Sequence, residues 1–188
     1  MSSFTSENAP ANTPGDPSGA VADLTTDRLI LRAWTPAEAD AVRRGVRLDH
    51  WAGDFPAEGD QVIAGLFDAN PAWLGAHGHR QIIERDSGLV VGSLGLFWPP
   101  ADGLVEIGYG IVESRRGRGY APEAVRALTA FAFTAPGVHT VHAHVEPSNP
   151  PSIRVLEKAG YQQWEGPAQG SAEDGEVLSY RAVPPAGS

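Results

Sequence analysis

The stretch Ser114–Ala124, SRRGRGYAPEA, decides how this chain is read. Three of the 14 Lys and Arg residues, Arg115, Arg116 and Arg118, fall within four positions of a sequence whose formal net charge is -9. Gly117 and Gly119 interleave with them, and Pro122 follows. A strand that leads through a Gly-rich turn into a helix makes an anion site. The first helical N–H groups lack intrahelical partners, and the helix dipole adds positive potential there. The glycines let the backbone curl around a phosphate without interference from Cβ atoms, and Pro122 is expected to open the helix. One compact basic cluster on an acidic chain points to one local anionic ligand.

Two phosphate sites are excluded by their missing parts. A P-loop needs Gly, four residues, then Gly-Lys-Ser/Thr, and no lysine occurs before Lys158. A dinucleotide fingerprint needs a third Gly or Ala three residues after Gly119, where Pro122 stands.

Working outward, 188 residues with 41% hydrophobic content predict one well-packed domain. The acidic balance argues against nucleic-acid and anionic-membrane binding, which need a basic face. The absence of cysteine excludes disulfides and Cys-based zinc sites. No apolar run reaches the length of a membrane span, and the N-terminus has neither a positive nor an apolar leader region. A cytoplasmic enzyme or binding protein is expected. Residues 1–22 and 184–188, rich in Ser, Pro, Ala and Gly, read as disordered tails around a domain at 23–183.

Within that domain, LTTDRLILRAW (Leu24–Trp34) reads as a strand. Thr35-Pro36 then predicts a helix N-cap and first turn. A short helical pattern spans roughly 59–68, and no chemistry follows from the spacing of residues 45–78. Residues 80–98 predict two strands about a turn at Arg85–Gly88, and 103–112 a third. PEAVRALTAFAF predicts a helix that buries Val125, Leu128 and Ala132. A strand at HTVHAHVE, a helix at PPSIRVLEKAG, and strands at YQQW and VLSYRAV complete the order.

RGRGYA (Arg116–Ala121) resembles the R/Q-x-x-G-x-G/A signature of the GNAT acyltransferase superfamily. TDRLILRAW, EIGYGIV, RGRGYAPEA and NPPSIRVLEKAGY occur in the order seen in its RimJ/RimL-like ribosomal-protein N-acetyltransferase branch, covering most of residues 24–165. The resemblance implies an α/β fold of α+β type, a mixed, mostly antiparallel sheet of about seven strands with helices on both faces. It implies acetyl-CoA, or another acyl-CoA, as co-substrate, and no metal. Arg116, Gly117, Arg118, Gly119, Tyr120 and Ala121 would cradle its pyrophosphate. Backbone N–H groups near Ile111 and Val112 would meet the pantetheine and thioester oxygen. Asn149 would touch the pantetheine, and Ser152 would sit near the sulfur as a candidate proton donor to the leaving thiolate. Many relatives carry a tyrosine acid where this chain has Leu156.

Such a reaction is the attack of a neutral amine on a thioester. An α-amino group has a pKa of about 7.7–8.0 and lysine about 10.4, so a base helps. Strand alternation sets Glu106 opposite Val105, Ile107, Tyr109 and Ile111, and some relatives use a carboxylate near this point. His144 precedes Asn149 by five residues, where others carry a catalytic Glu. Glu106 reads equally as an exposed strand residue, and His142 as a core histidine. His142 and His144 share a strand face but lack a third metal ligand.

The expected partners are an acyl-CoA and an amine acceptor, either a protein N-terminus or a small amine such as an antibiotic. The acidic loop Trp164–Glu176 reads either as an attractor for a cationic amine or as a solvated hairpin loop. A catalytically silent acyl-CoA-binding protein is the alternative, and both a monomer and a homodimer are left open.

Overall fold

The segment Leu24–Trp34 folds as two strands, β1 (Leu24–Thr25) and β2 (Leu29–Ala33), rather than one. Thr26 causes the break: its backbone N–H reaches the Leu29 carbonyl at 2.9 Å, and its hydroxyl accepts the Leu29 N–H at 3.0 Å. The computed structural model describes residues 20–166 and 176–186. Most of the expected tails, and residues 167–175 of the acidic loop, lie outside the described residues.

The chain continues through α1 (Pro36–Arg43), α2 (Glu58–Leu66), β3 (His79–Glu84), β4 (Val90–Leu96) and β5 (Leu104–Ile111). Then come α3 (Tyr120–Ala132), β6 (Thr140–Val145), α4 (Pro150–Lys158), β7 (Gln162–Gln163) and β8 (Leu178–Ala182). Helix α1 starts where the sequence predicts. The Thr35 hydroxyl accepts the Glu38 N–H at 3.2 Å, and a Glu38 carboxylate oxygen accepts the Thr35 N–H at 2.9 Å. Each satisfies an N–H that the helix start would otherwise leave unpaired.

The strands form one eight-stranded mixed sheet in the order β1-β2-β3-β4-β5-β6-β8-β7. Among the described residues, β5–β6 is the parallel pair and the others are antiparallel. The strand added to the expected seven is β1.

Side chains alternate along each strand, so the register assigns them to two faces. One face carries Arg80, Leu94, Val105, Ile107, Tyr109 and Val141. It packs on α3 and α4: Arg80 lies 5.2 Å from the Phe131 ring centroid, and Tyr109 bonds to Ser152. Ala124, Val125, Leu128 and Ala132 of α3 are fully buried. The other face carries His79, Ser93, Gly95, Glu106, Gly108, Gly110 and His142. Helix α2 reaches it through an Asp60–Ser93 hydrogen bond.

Candidate active site

Strands β5 and β6 pair only from Leu104↔Thr140 to Glu106↔His142, although β5 continues to Ile111 and β6 to Val145. Beyond Glu106, β5 therefore presents an edge not paired to β6. Toward β4, the Glu106 carbonyl accepts the Phe97 N–H at 3.0 Å, and the Val112 N–H donates to Val91 at 2.9 Å. Antiparallel alternation then turns the N–H and C=O groups of Ile107, Tyr109 and Ile111 toward the β6 side. The Ile111 carbonyl meets the Arg116 Nε–H there at 3.0 Å. Val112 departs from expectation: its N–H is used in the sheet and its side chain is buried. The alternation offers Tyr109 and Ile111 as the donors on the open side.

A cleft of about 530 Å³ lies there, between β5, the Arg-Gly loop, α3 and the start of α4. Ile111, Arg116, Gly117, Gly119, Tyr120, Ala121, Asn149 and Ser152 all line it. Arg118 does not. Its carbonyl accepts Arg28 Nη1–H at 2.7 Å, and its guanidinium lies 3.5 Å from Glu84.

Helix α3 starts at Tyr120, two residues before the expected Pro122, with Gly119 as its N-cap. Gly117 and Gly119 have φ of 75° and 78°, the left-handed region where glycine costs least. The turn at Gly119 brings the helix in early, and Pro122 is tolerated in the first turn because no N–H is required there. No side chain caps α3. The N–H groups of Tyr120 and Ala121 therefore remain as donors at the positive end of the dipole.

Arg115, Arg116, Arg154 and Lys158 line the cleft, and no carboxylate does. Four cations around an uncapped helix start concentrate positive charge in one place on a chain of net charge -9. Sequence reasoning missed Arg154 and Lys158, because they arrive on α4 from beyond the motif.

At the other end of the cleft, Ser152 Oγ lies 2.8 Å from Tyr109 Oη, which also donates to the Ser152 carbonyl at 3.1 Å. Burial pushes the Tyr109 phenol up, against a lowering from the Ser152 hydrogen bond. Asn149 Oδ1 accepts the Ser152 N–H at 3.3 Å, so this residue caps α4. Leu156 is fully buried.

Glu106 and His144 lie elsewhere. Glu106 is half-buried beside His142, and His144 Nδ1 is 3.2 Å from Ser179 Oγ. Neither lines the cleft. Burial, with His144 alongside, lowers the His142 imidazole to about 4.

A second pocket of about 250 Å³ lies on the α2 side of the sheet and shares Tyr109, Gly110, Ile111 and Arg116 with the cleft. Asp60, His79 and Ser93 line it. No local motif marks these three, which come from separate elements joined only by sheet register and helix packing.

The residues that hold this geometry, 28–162, match the family model described as an acetyltransferase (GNAT) domain. The chain belongs to the GNAT acetyltransferase family. It is 30% identical over 146 residues to the uncharacterized N-acetyltransferase YoaA of Bacillus subtilis, covering 74% of this chain and 82% of that protein. It is 35% identical over 83 residues to the uncharacterized N-acetyltransferase p20 of Bacillus licheniformis, covering 44% of this chain and 47% of that one. The match thus spans about half the length of that curated relative. In structure this GNAT chain is similar to a GNAT acetyltransferase of Bacillus anthracis, with TM-score 0.62, 22% identity and coverage of 86% and 98%. It is also similar to RimL, a ribosomal L7/L12 α-N-protein acetyltransferase in complex with coenzyme A, with TM-score 0.60, 16% identity and coverage of 86% and 98%. At these identities the structural likeness is one of fold.

Proposed function

We propose that this GNAT chain moves an acetyl group from acetyl-CoA to a primary amine, a protein N-terminus or a small amine, by direct attack in a ternary complex. One observation carries the reading: a cationic cleft with an uncapped helix start meets a second pocket at the unpaired edge of β5. The cleft suits a phosphorylated cofactor because its lining offers backbone donors and four cations without a carboxylate to repel it.

Acetyl-CoA supplies the activated acetyl thioester. Tyr120 and Ala121 N–H groups, with the surrounding basic side chains, bind phosphate. The Tyr109 and Ile111 N–H groups orient the acetyl oxygen, the role of an oxyanion hole. The coupled hydroxyls of Tyr109 and Ser152 hold a proton for the departing sulfur. Asn149 fixes Ser152 by capping α4. The roles of base at Glu106 or His144 gain no support from geometry, since neither lines either pocket.

The order of motifs supports the RimJ/RimL-like branch. Among the described residues no helix is long and apolar enough to cross a membrane, and the cytoplasm is the proposed compartment.

The test combines calorimetric acetyl-CoA binding with thiol release across a panel of amines. Binding with amine-dependent thiol release is expected. Binding without turnover on any amine would instead favour a silent acyl-CoA-binding protein.

A further inference from the structure

Asp60 is a buried carboxylate with unfinished partnering. It is 5% exposed, and it accepts the Ala57 N–H at 2.8 Å and the Ser93 hydroxyl. A carboxylate offers about four lone-pair positions, so two remain. Among the described residues no basic side chain forms an ion pair with it. Burying such a charge without a counter-charge is costly. Accordingly, burial raises its pKa despite the hydrogen bonds from Ser93 and Ala57.

His79 lines the same pocket, is 2% exposed, and has a ring nitrogen, Nε2, with no partner. Burial lowers its pKa to about 4, so the ring is neutral at neutral pH. The lining carries one other charge, Arg116, which is exposed and has its Nε–H on the Ile111 carbonyl.

The rest of the pocket is apolar or empty. Ile63 and Phe97 supply hydrophobic wall. Gly108 and Gly110 face it without side chains, and a Cβ at Gly110 would meet nothing within 4 Å. The volume, about 250 Å³, is below the roughly 300–1,000 Å³ of sites for drug-sized ligands.

We propose that Asp60, seated by Ser93, selects the acceptor, and that this pocket takes a small primary ammonium ion carried on an apolar body. The inference rests on the acetyltransferase reading and adds the acceptor class to it. The ammonium supplies the charge that Asp60 lacks, and the apolar body lies against Ile63 and Phe97. Before attack the ammonium gives one proton to the Asp60 carboxylate, and the neutral amine that results attacks the thioester carbonyl. A carboxylate beside the amine, as in an amino acid, sets two anions together and is disfavoured.

Three measurements on the full chain test this. The first is acetyl-CoA binding by calorimetry, whose failure overturns the acetyltransferase reading and the inference with it. The second, in the wild type, compares thiol release with 2-phenylethylamine, with phenylalanine and with a short peptide bearing a free N-terminal alanine. A preference of about tenfold or more in kcat/KM for 2-phenylethylamine is expected. Equal or better use of phenylalanine or the peptide overturns the proposal, as does acetyl-CoA binding with no use of 2-phenylethylamine. The third is Asp60→Asn, expected to raise the KM for 2-phenylethylamine about tenfold or more while leaving acetyl-CoA affinity within about twofold. An unchanged amine KM overturns the proposal, and the wild-type comparison decides alone if the variant does not fold.

Discussion

Tyr120 Oη donates a 2.7 Å hydrogen bond to Glu84 Oε2, tying the first residue of α3 to the last residue of β3. Glu84 also accepts the Ser87 hydroxyl at 2.7 Å and lies 3.4 Å from the Arg115 guanidinium. One carboxylate therefore fixes both ends of the Arg-Gly loop. Arg28 fastens it from outside, with Nη1–H on the Arg118 carbonyl at 2.7 Å and Nε–H on Glu123 at 2.8 Å.

Glu84→Ala should lower the unfolding free energy by about 1–3 kcal/mol, because it leaves the buried Tyr120 hydroxyl without its acceptor. Burial opposes ionisation of Glu84, but hydrogen bonds from Ser87 and Tyr120 and the charge of Arg115 together hold its carboxyl below the usual range. A depressed carboxyl pKa stabilises the fold above the unfolded value, about 4.3, and that stability is lost as pH falls through the folded value. Urea unfolding at pH 7 and pH 3.5 should show a smaller difference between wild type and variant at the lower pH.

Gly119→Glu should weaken acetyl-CoA binding about a hundredfold, or ~2.7 kcal/mol, by placing a carboxylate at the uncapped start of α3. Gly119→Ala should cost about 1 kcal/mol of stability, because φ of 78° strains any side chain and its Cβ would lie 3.3 Å from Arg28 Nη2. Calorimetry and thermal melts separate the two effects. Undiminished acetyl-CoA affinity in the Glu variant would rule out phosphate binding at this turn.

Tyr109→Phe and Ser152→Ala should each lower kcat about tenfold or more while leaving acetyl-CoA affinity within a few-fold. Their hydroxyls are 2.8 Å apart and act as one unit, so the double variant should be little slower than either single one. Additive losses would show that the two groups work separately.

His79 and His142 should make the protein acid-labile well above the carboxylate range. Burial lowers both from 6.5 to about 4, with His144 adding to the shift at His142. A histidine held neutral in the fold binds its proton in the unfolded chain first. Stability is therefore full above about 6.5 and is lost as pH falls from there toward 4. At about 1.4 kcal/mol per unit, each histidine accounts for ~3 kcal/mol across that window. His142→Gln should flatten its share of the slope in denaturant midpoints measured from pH 7 to 4.5. An unchanged slope would contradict this.

Local chemistry made much of this molecule legible. Thr35 and Pro36 announce α1, and Val125, Leu128 and Ala132 lie on the buried face of α3 that their spacing predicts. Gly117 and Gly119 take positive φ at the turn where the sequence required it. The boundaries failed at two tight local turns, which hydrophobic periodicity does not resolve. Thr26 split the first strand by binding Leu29, and the turn at Gly119 moved the start of α3 from Pro122 to Tyr120.

By itself the sequence determined most of the elements, their order and the Gly-rich turn before α3, because each depends on dihedral preference, capping and periodicity within a few residues. Only the tertiary structure decided which strand edge is open. Pairing of β5 with β6 ends at Glu106↔His142, and that divergence gives the cleft and the second pocket a common wall at Tyr109–Ile111. It also brought Arg154 and Lys158 to the Arg-Gly turn, and set Asp60 against Ser93 across 33 positions of sequence. Those meetings depend on sheet register and helix packing, which sum over the whole chain and leave no mark in any short stretch of it.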